Sequence, residues 1–139
     1  MSLDVGLYRK YHISYDGGKT LEEKEEEVFG ANITHNLGSM AEEAGIYKAL
    51  WRPYMLKESY VPIEDYHEEL KYEDSVEVRA YEIIPIIEKG LEDMKARPEH
   101  YKTFDSPNGW GTYVHFVPFI EEYLSACKEF PQAIVSVSR

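Results

Sequence analysis

The sequence predicts an α+β fold: a small, mainly antiparallel sheet of about three strands with helices packed on one face. Three observations carry that expectation. Apolar residues alternate near 7–15, 28–35 and 133–138, the period of half-buried strands. At 37–44, 76–94 and 112–130 they recur at helical spacing instead. The last two helical stretches also share a pattern at an offset of 33 residues, IIPIIEKGLEDMKARP from 83 and FVPFIEEYLSACKEFP from 116. Two copies are too few for a solenoid, and either a shared helix grammar or a helical pair on one sheet accounts for them.

In chain order, LYRKYHISY (7–15) places Leu7, Tyr11, Ile13 and Tyr15 on one face, and Asp16-Gly17-Gly18 is a turn signal. EEKEEE (22–27) reads as a solvated connector with at most a helical turn. The second strand, 28–35, puts Phe29, Ala31 and Ile33 on one face. Matching the apolar faces requires paired residue numbers that sum to an even value, with Tyr15 opposite Phe29 and Ile13 opposite Ala31. His35 then points toward the core at the strand's end.

Asn36 is expected to N-cap a helix beginning at Leu37, with Gly45 as its C′ residue and Ile46 folding back. A short turn, Tyr47 to Trp51, ends before Pro53. Residues 56–74 are acidic and poor in aliphatics, which predicts a long mobile excursion. Asp74 with Glu77 predicts a capping box for a helix ending at Pro98. A second long helix runs from about Thr112 to Phe130, and Pro85 and Pro118 should each kink its helix or confine regular structure to the part after it. A last strand at 133–138 can pair with either earlier one.

At 139 residues the chain suits one domain, which buries roughly two-thirds of its unfolded surface. The net charge of −11 argues against a phosphate-tracking nucleic-acid surface. Cys127, the single cysteine, excludes an internal disulfide and a cysteine-rich zinc site, and its apolar helical setting reads as an inert buried thiol. No signal peptide or membrane-length apolar run is present, so a soluble cytoplasmic protein is expected.

Three polar clusters could carry function. In ANITHNLGSM (31–40), Asn32, Thr34, His35 and Asn36 crowd a strand-to-helix hinge, where backbone N–H groups favour an anion; strand-end and cap chemistry explains them equally. In DSPNGWGTYVHF (105–116), glycines flank Trp110 just before a helix start. That tryptophan either stacks a planar ligand, with Tyr113 nearby, or plugs the gap between the long helices. In ALWRPY (49–54), Trp51 and Arg52 offer an aromatic and a cation, as an anion clamp or as a surface ion pair. The five histidines form no metal-ligand spacing, and no nucleophile motif is present, so no metal or cofactor is expected.

NITHNLGSMAEEAGIYKALWRP, then IIPIIEKGLEDMK, then NGWGTYVHFVPFIEEYLSACK together resemble a group of small uncharacterised proteins often found in phages and prophages. The resemblance spans residues 31–139. It implies a compact accessory protein and supplies no catalytic residues. Residues 53–78 are longer and more acidic than that group leads one to expect. The expected function is a non-catalytic accessory protein with a pocket for a small polar, nucleotide-like ligand, lined by Asn32, His35, Asn36, Trp51, Arg52, Trp110 and Tyr113. The alternatives are an acidic module that binds a host protein, with nucleic-acid mimicry as one form of it, and a metal-dependent hydrolase.

Overall fold

Residues 2–139 are described by a computed structural model. It shows the α+β architecture: a three-stranded antiparallel sheet in the order β2-β1-β3, with β1 at Ser2–Ile13, β2 at Glu22–Thr34 and β3 at Ile134–Ser138. Between β2 and β3 run six helices: α1 (Gly38–Ala44), α2 (Tyr47–Trp51), α3 (Tyr66–Ser75), α4 (Ala80–Ala96), α5 (Pro98–Lys102) and α6 (Tyr113–Glu129). No described helix is long and apolar enough to cross a membrane.

The first strand begins earlier than its alternation suggests. Leu3, Val5 and Leu7 are buried and face Ile33, Ala31 and Phe29 across the β1–β2 ladder. The even-sum register holds in this half, but it is displaced from the expected one. Leu7, not Tyr15, meets Phe29, and Tyr15 is exposed in the loop. Pairing from Ser2 brings three aliphatics into the core, whereas pairing from Leu7 would have buried tyrosines, whose hydroxyls need partners. A bulge at Val28 shifts the ladder so that Tyr8 meets Glu27. Beyond it EEKEEE is strand rather than connector, and Arg9 pairs with Glu26 at 2.5 Å. Of the two earlier strands, β3 pairs with β1, placing Val135 beside Leu7 and Val137 beside Val5.

The chain leaves β2 through a 3-10 turn at His35–Leu37. Asn36 therefore does not cap a helix: it lies within that turn, and α1 starts two residues later, without a side-chain cap. The far end follows the expectation, since Gly45 has φ 76° and Ile46 N–H donates to Ala41 O at 2.9 Å. The long helices pack on each other, burying Ile83, Ile87, Leu91 and Met94 from α4 and Phe116, Ile120, Tyr123 and Leu124 from α6. Pro85 and Pro118 sit at equivalent places inside unbroken helices. Gly90 lets α4 approach the α1–α2 junction: a Cβ there would stand 2.2 Å from Ile46 Cγ2.

α4 starts at Ala80, later than the Asp74–Glu77 pair suggests, and Glu82 closes its first turn by accepting from Arg79 N–H at 2.6 Å. The 56–74 segment holds α3 rather than a structureless excursion. Asp65 caps that helix, its Oδ1 accepting from His67 N–H at 2.9 Å and Glu68 N–H at 3.1 Å. No residue of α3 is fully buried. Polar contacts hold it instead: Arg139 grips Glu73 through two hydrogen bonds of 2.7 Å, and Tyr54 donates to Glu69 at 2.7 Å.

Two consequences of this packing are measurable. The Tyr123 hydroxyl is fully buried without a hydrogen-bond partner among the described residues, and burial pushes its pKa well up. Removing an unsatisfied buried hydroxyl relieves its desolvation penalty, so Tyr123→Phe is expected to raise stability by about 1 kcal/mol. A urea midpoint lower than that of the parent would show that the hydroxyl has a partner. At the α4 C-terminus, Arg97 and then Tyr101 donate to Asp93 and hold its carboxyl down to about 2. A depressed folded pKa stabilises above the unfolded value of 3.8, and that contribution fades as pH falls toward 2. The stability difference between the parent and Asp93→Asn should therefore shrink across pH 4 to 2, which acid titration of denaturant midpoints would read.

Candidate functional site

The hinge after β2 and the loop before α6 form one cleft. Its walls are Asn32, Thr34, His35 and Asn36 on one side and Asn108 and Trp110 on the other, with Ser2 at the base; its volume is about 860 Å³. The proximity of Trp110 to the hinge, which the sequence leaves open, is thus a feature of the fold.

Local chemistry fixes the loop. Asn108 Oδ1 accepts from Ser106 Oγ at 2.6 Å and from Trp110 N–H at 2.9 Å, the short-range bonding that asparagine offers a turn. Ser106 N–H donates to Gly111 O at 3.0 Å, closing the loop on itself. Gly109 and Gly111 take φ of 76° and 102°, conformations that β-carbon sterics disfavour for other residues. Gly111 does more than turn the chain. A Cβ on it would lie 2.9 Å from Asn36 Cβ and 3.0 Å from Asn36 O, so the bare glycine backbone rests directly on the hinge. That contact seats Trp110, which remains 68% exposed, at the mouth of the cleft.

On the opposite wall, Asn32 Nδ2 donates to Asp4 Oδ1 at 2.9 Å across the β1–β2 ladder, which orients the amide. Asn36 is exposed. His35 is half-buried, and its Nε2 is enclosed without a hydrogen-bond partner among the described residues. Such an atom is costly unless something engages it.

Of the seven expected site residues, the cleft unites Asn32, His35, Asn36 and Trp110. The other three are elsewhere. Trp51 is core, 2% exposed, stacked on Tyr47 at 5.3 Å and edge-on to Phe116 at 6.3 Å. An aromatic at an inward helical position is drawn into the core by its apolar area. Arg52 is neither a free clamp nor a surface pair: it donates to the Tyr54 hydroxyl at 2.9 Å and lies 3.9 Å from Glu69. Tyr113 turns away, its hydroxyl donating to Met94 O at 2.9 Å and its ring lying under the Lys102 ammonium. Sequence reasoning missed Ser2, assigned to no strand, and Asn108, treated only as a turn former.

The electrostatics differ from the expected anion site. The helical turn after β2 is too short to present a helix N-terminus. At α6 the first N–H, that of Tyr113, already donates to the Asp105 carboxylate at 2.7 Å. Among the described residues, no lysine or arginine lines the cleft. The arrangement offers amide and imidazole hydrogen-bonding groups around one exposed indole face, with no lysine or arginine among the described residues to meet a phosphate.

Among the described residues, no three histidine, cysteine or carboxylate side chains converge where they could hold a metal ion. Burial pushes the Cys127 thiol up to about 12, as expected of an unreactive core cysteine. Comparison of the chain with protein-family models, curated proteins and solved structures returns no match.

Proposed function

We propose that the protein is a non-catalytic accessory protein that binds a small, uncharged, planar polar ligand of nucleobase or nucleoside type in the Trp110 cleft. The observation that carries this reading is the seating of Gly111 on Asn36, which fixes an exposed indole beside the hinge amides. An aromatic face supplies stacking, and Asn32, Asn36 and His35 supply orientation through base-edge hydrogen bonds. The absence of lysine and arginine from the lining favours a base or nucleoside over a phosphorylated nucleotide. A phage or prophage setting belongs to this proposal and rests on the motif resemblance alone.

The test is calorimetric titration with the four ribonucleosides, each paired with its 5′-monophosphate. At least one nucleoside should bind saturably, and its monophosphate more weakly. Base–aromatic stacking is worth about 1–3 kcal/mol, so Trp110→Ala should weaken binding by roughly 5- to 150-fold. Affinity unchanged in both Trp110→Ala and His35→Ala would rule the cleft out as the ligand site.

A further inference from the structure

We propose that the outer edge of β2 between Val28 and Asn32, roofed by one face of α6, receives an extended basic peptide as a fourth strand. The strand order leaves two outer edges, and they differ. At β3, Val135 N–H donates to Val78 O at 2.8 Å and Arg79 bridges Ile134, so the segment before α4 covers that edge. At β2 no described segment pairs with the outer side.

The Val78 contact also reveals which β2 groups are free. Val135 directs its N–H away from β1, so its pairing with Leu7 is the non-hydrogen-bonded kind. Leu7 therefore bonds to β2, and its partner Phe29 points its N–H and C=O inward. By alternation, Gly30 and Asn32 direct theirs outward, two residues apart, as an incoming strand requires.

The acidic run ends where the proposed site begins, its last carboxylate, that of Glu27, lying against one face of Gly30. Along Glu22–Glu26 acidic side chains blunt the edge, the usual defence against unwanted strand pairing. From Val28 to Ile33 the sequence is VFGANI, without a charge or a proline. Beside it, Phe29 and the α6 residues Glu122, Ser125, Ala126 and Glu129 frame a groove of about 570 Å³. Those helix positions are one turn apart, so a single face of α6 looks down on the edge. Glu121 on the same face pairs with Lys95 at 3.0 Å, whereas Glu122 and Glu129 form no ion pair among the described residues.

Charge selects the occupant. A strand added beside Phe29 turns alternate side chains toward Glu122 and Glu129, where lysine or arginine is favoured. A second copy paired through β2 would bring two such acidic helix faces together, on chains that each carry −11. The site thus fits a basic, extended segment of about six residues, roughly 20 Å long.

The experiment uses fluorescein-labelled KVKVKV, with N-terminal acetyl and C-terminal amide, and the same peptide N-methylated at alternate residues. Both carry identical charge and side chains, but only the first can complete a strand. Anisotropy titrations should show saturable binding of the unmodified peptide, at least tenfold weaker for the N-methylated one. Glu122→Lys with Glu129→Lys, surface changes that leave the core intact, should weaken it at least tenfold further. Hydrogen exchange should slow at Gly30 and Asn32 only when peptide is added. Equal binding of the two peptides would overturn the proposal, as would indifference to the charge reversals. So would a dimer whose Gly30 and Asn32 amides are protected without peptide, since a second copy would then hold the edge.

Discussion

Gly111→Ala should lower stability by about 2–6 kcal/mol and remove the proposed nucleoside binding in the Trp110 cleft. Two independent costs add. A φ of 102° lies outside the left-handed well that other residues visit, at a strain of about 1–3 kcal/mol. The new methyl would also sit 2.9 Å from Asn36 Cβ and 3.0 Å from Asn36 O, and overpacking of that kind typically costs about 1–3 kcal/mol. The cheapest relief is for the loop to lift off the hinge, which carries Trp110 away from His35 and Asn36. Gly109→Ala is the matched control: its φ is 76°, but nothing lies within 4 Å of its Cβ. It should cost less than Gly111→Ala and leave more of the binding. Denaturant midpoints and nucleoside titrations of the two variants would check both parts, and equal losses would show that turn strain, not the Asn36 contact, dominates.

Arg139→Ala should cost about 2–4 kcal/mol, through a different link. The guanidinium makes two 2.7 Å bonds to Glu73, a 2.8 Å bond to Trp51 O, and lies over the Tyr54 ring at 5.9 Å. The Arg139 and Glu73 side chains retain only 17% and 18% exposure, so removing one partner strands the other where water replaces it poorly. Because α3 buries no residue of its own, it depends on this clasp and on the rings of Tyr54, Tyr60 and Tyr72. The loss should appear first as faster hydrogen exchange over Tyr66–Ser75, ahead of global unfolding. Arg139→Lys should recover only part of it, since an ammonium cannot reproduce the paired bonds to the carboxylate.

The dependence of α3 on polar clasps also explains why it was hidden in the sequence. Its composition lacks an apolar stripe, the strongest one-dimensional sign of a helix, and the Asp65 cap was a weak signal within an acidic run. The helices that bury aliphatics, α4 and α6, were legible from their spacing, and so was the Gly45 stop. The sheet was legible as three strands but not in register. Tyr11, Ile13 and Tyr15 alternate as well as Leu3, Val5 and Leu7 do, and only tertiary packing chooses the aliphatic set. The bulge at Val28 left no one-dimensional trace.

The site was legible as two separate clusters. Asn32, His35, Asn36 and Trp110 stood out because polar and aromatic residues crowded turn positions. Trp51 and Arg52 stood out for the same reason, and nothing in ALWRPY distinguishes a pocket wall from a core tryptophan with a tethered arginine. What brings the cleft residues together is the close approach of the Gly111 backbone to Asn36, far apart in sequence, which spacing cannot express.

The most direct test of the cleft is a ¹H–¹⁵N spectrum of the labelled protein titrated with the four ribonucleosides. Two indole signals report on the two tryptophans, one buried at 2% exposure and one open at 68%. At least one nucleoside should shift the Trp110 indole together with the side-chain amides of Asn32 and Asn36, along one saturation curve, while the Trp51 indole stays in place. A Trp110 indole and hinge amides that stay still through the whole series, or that move on separate curves, would contradict the proposal.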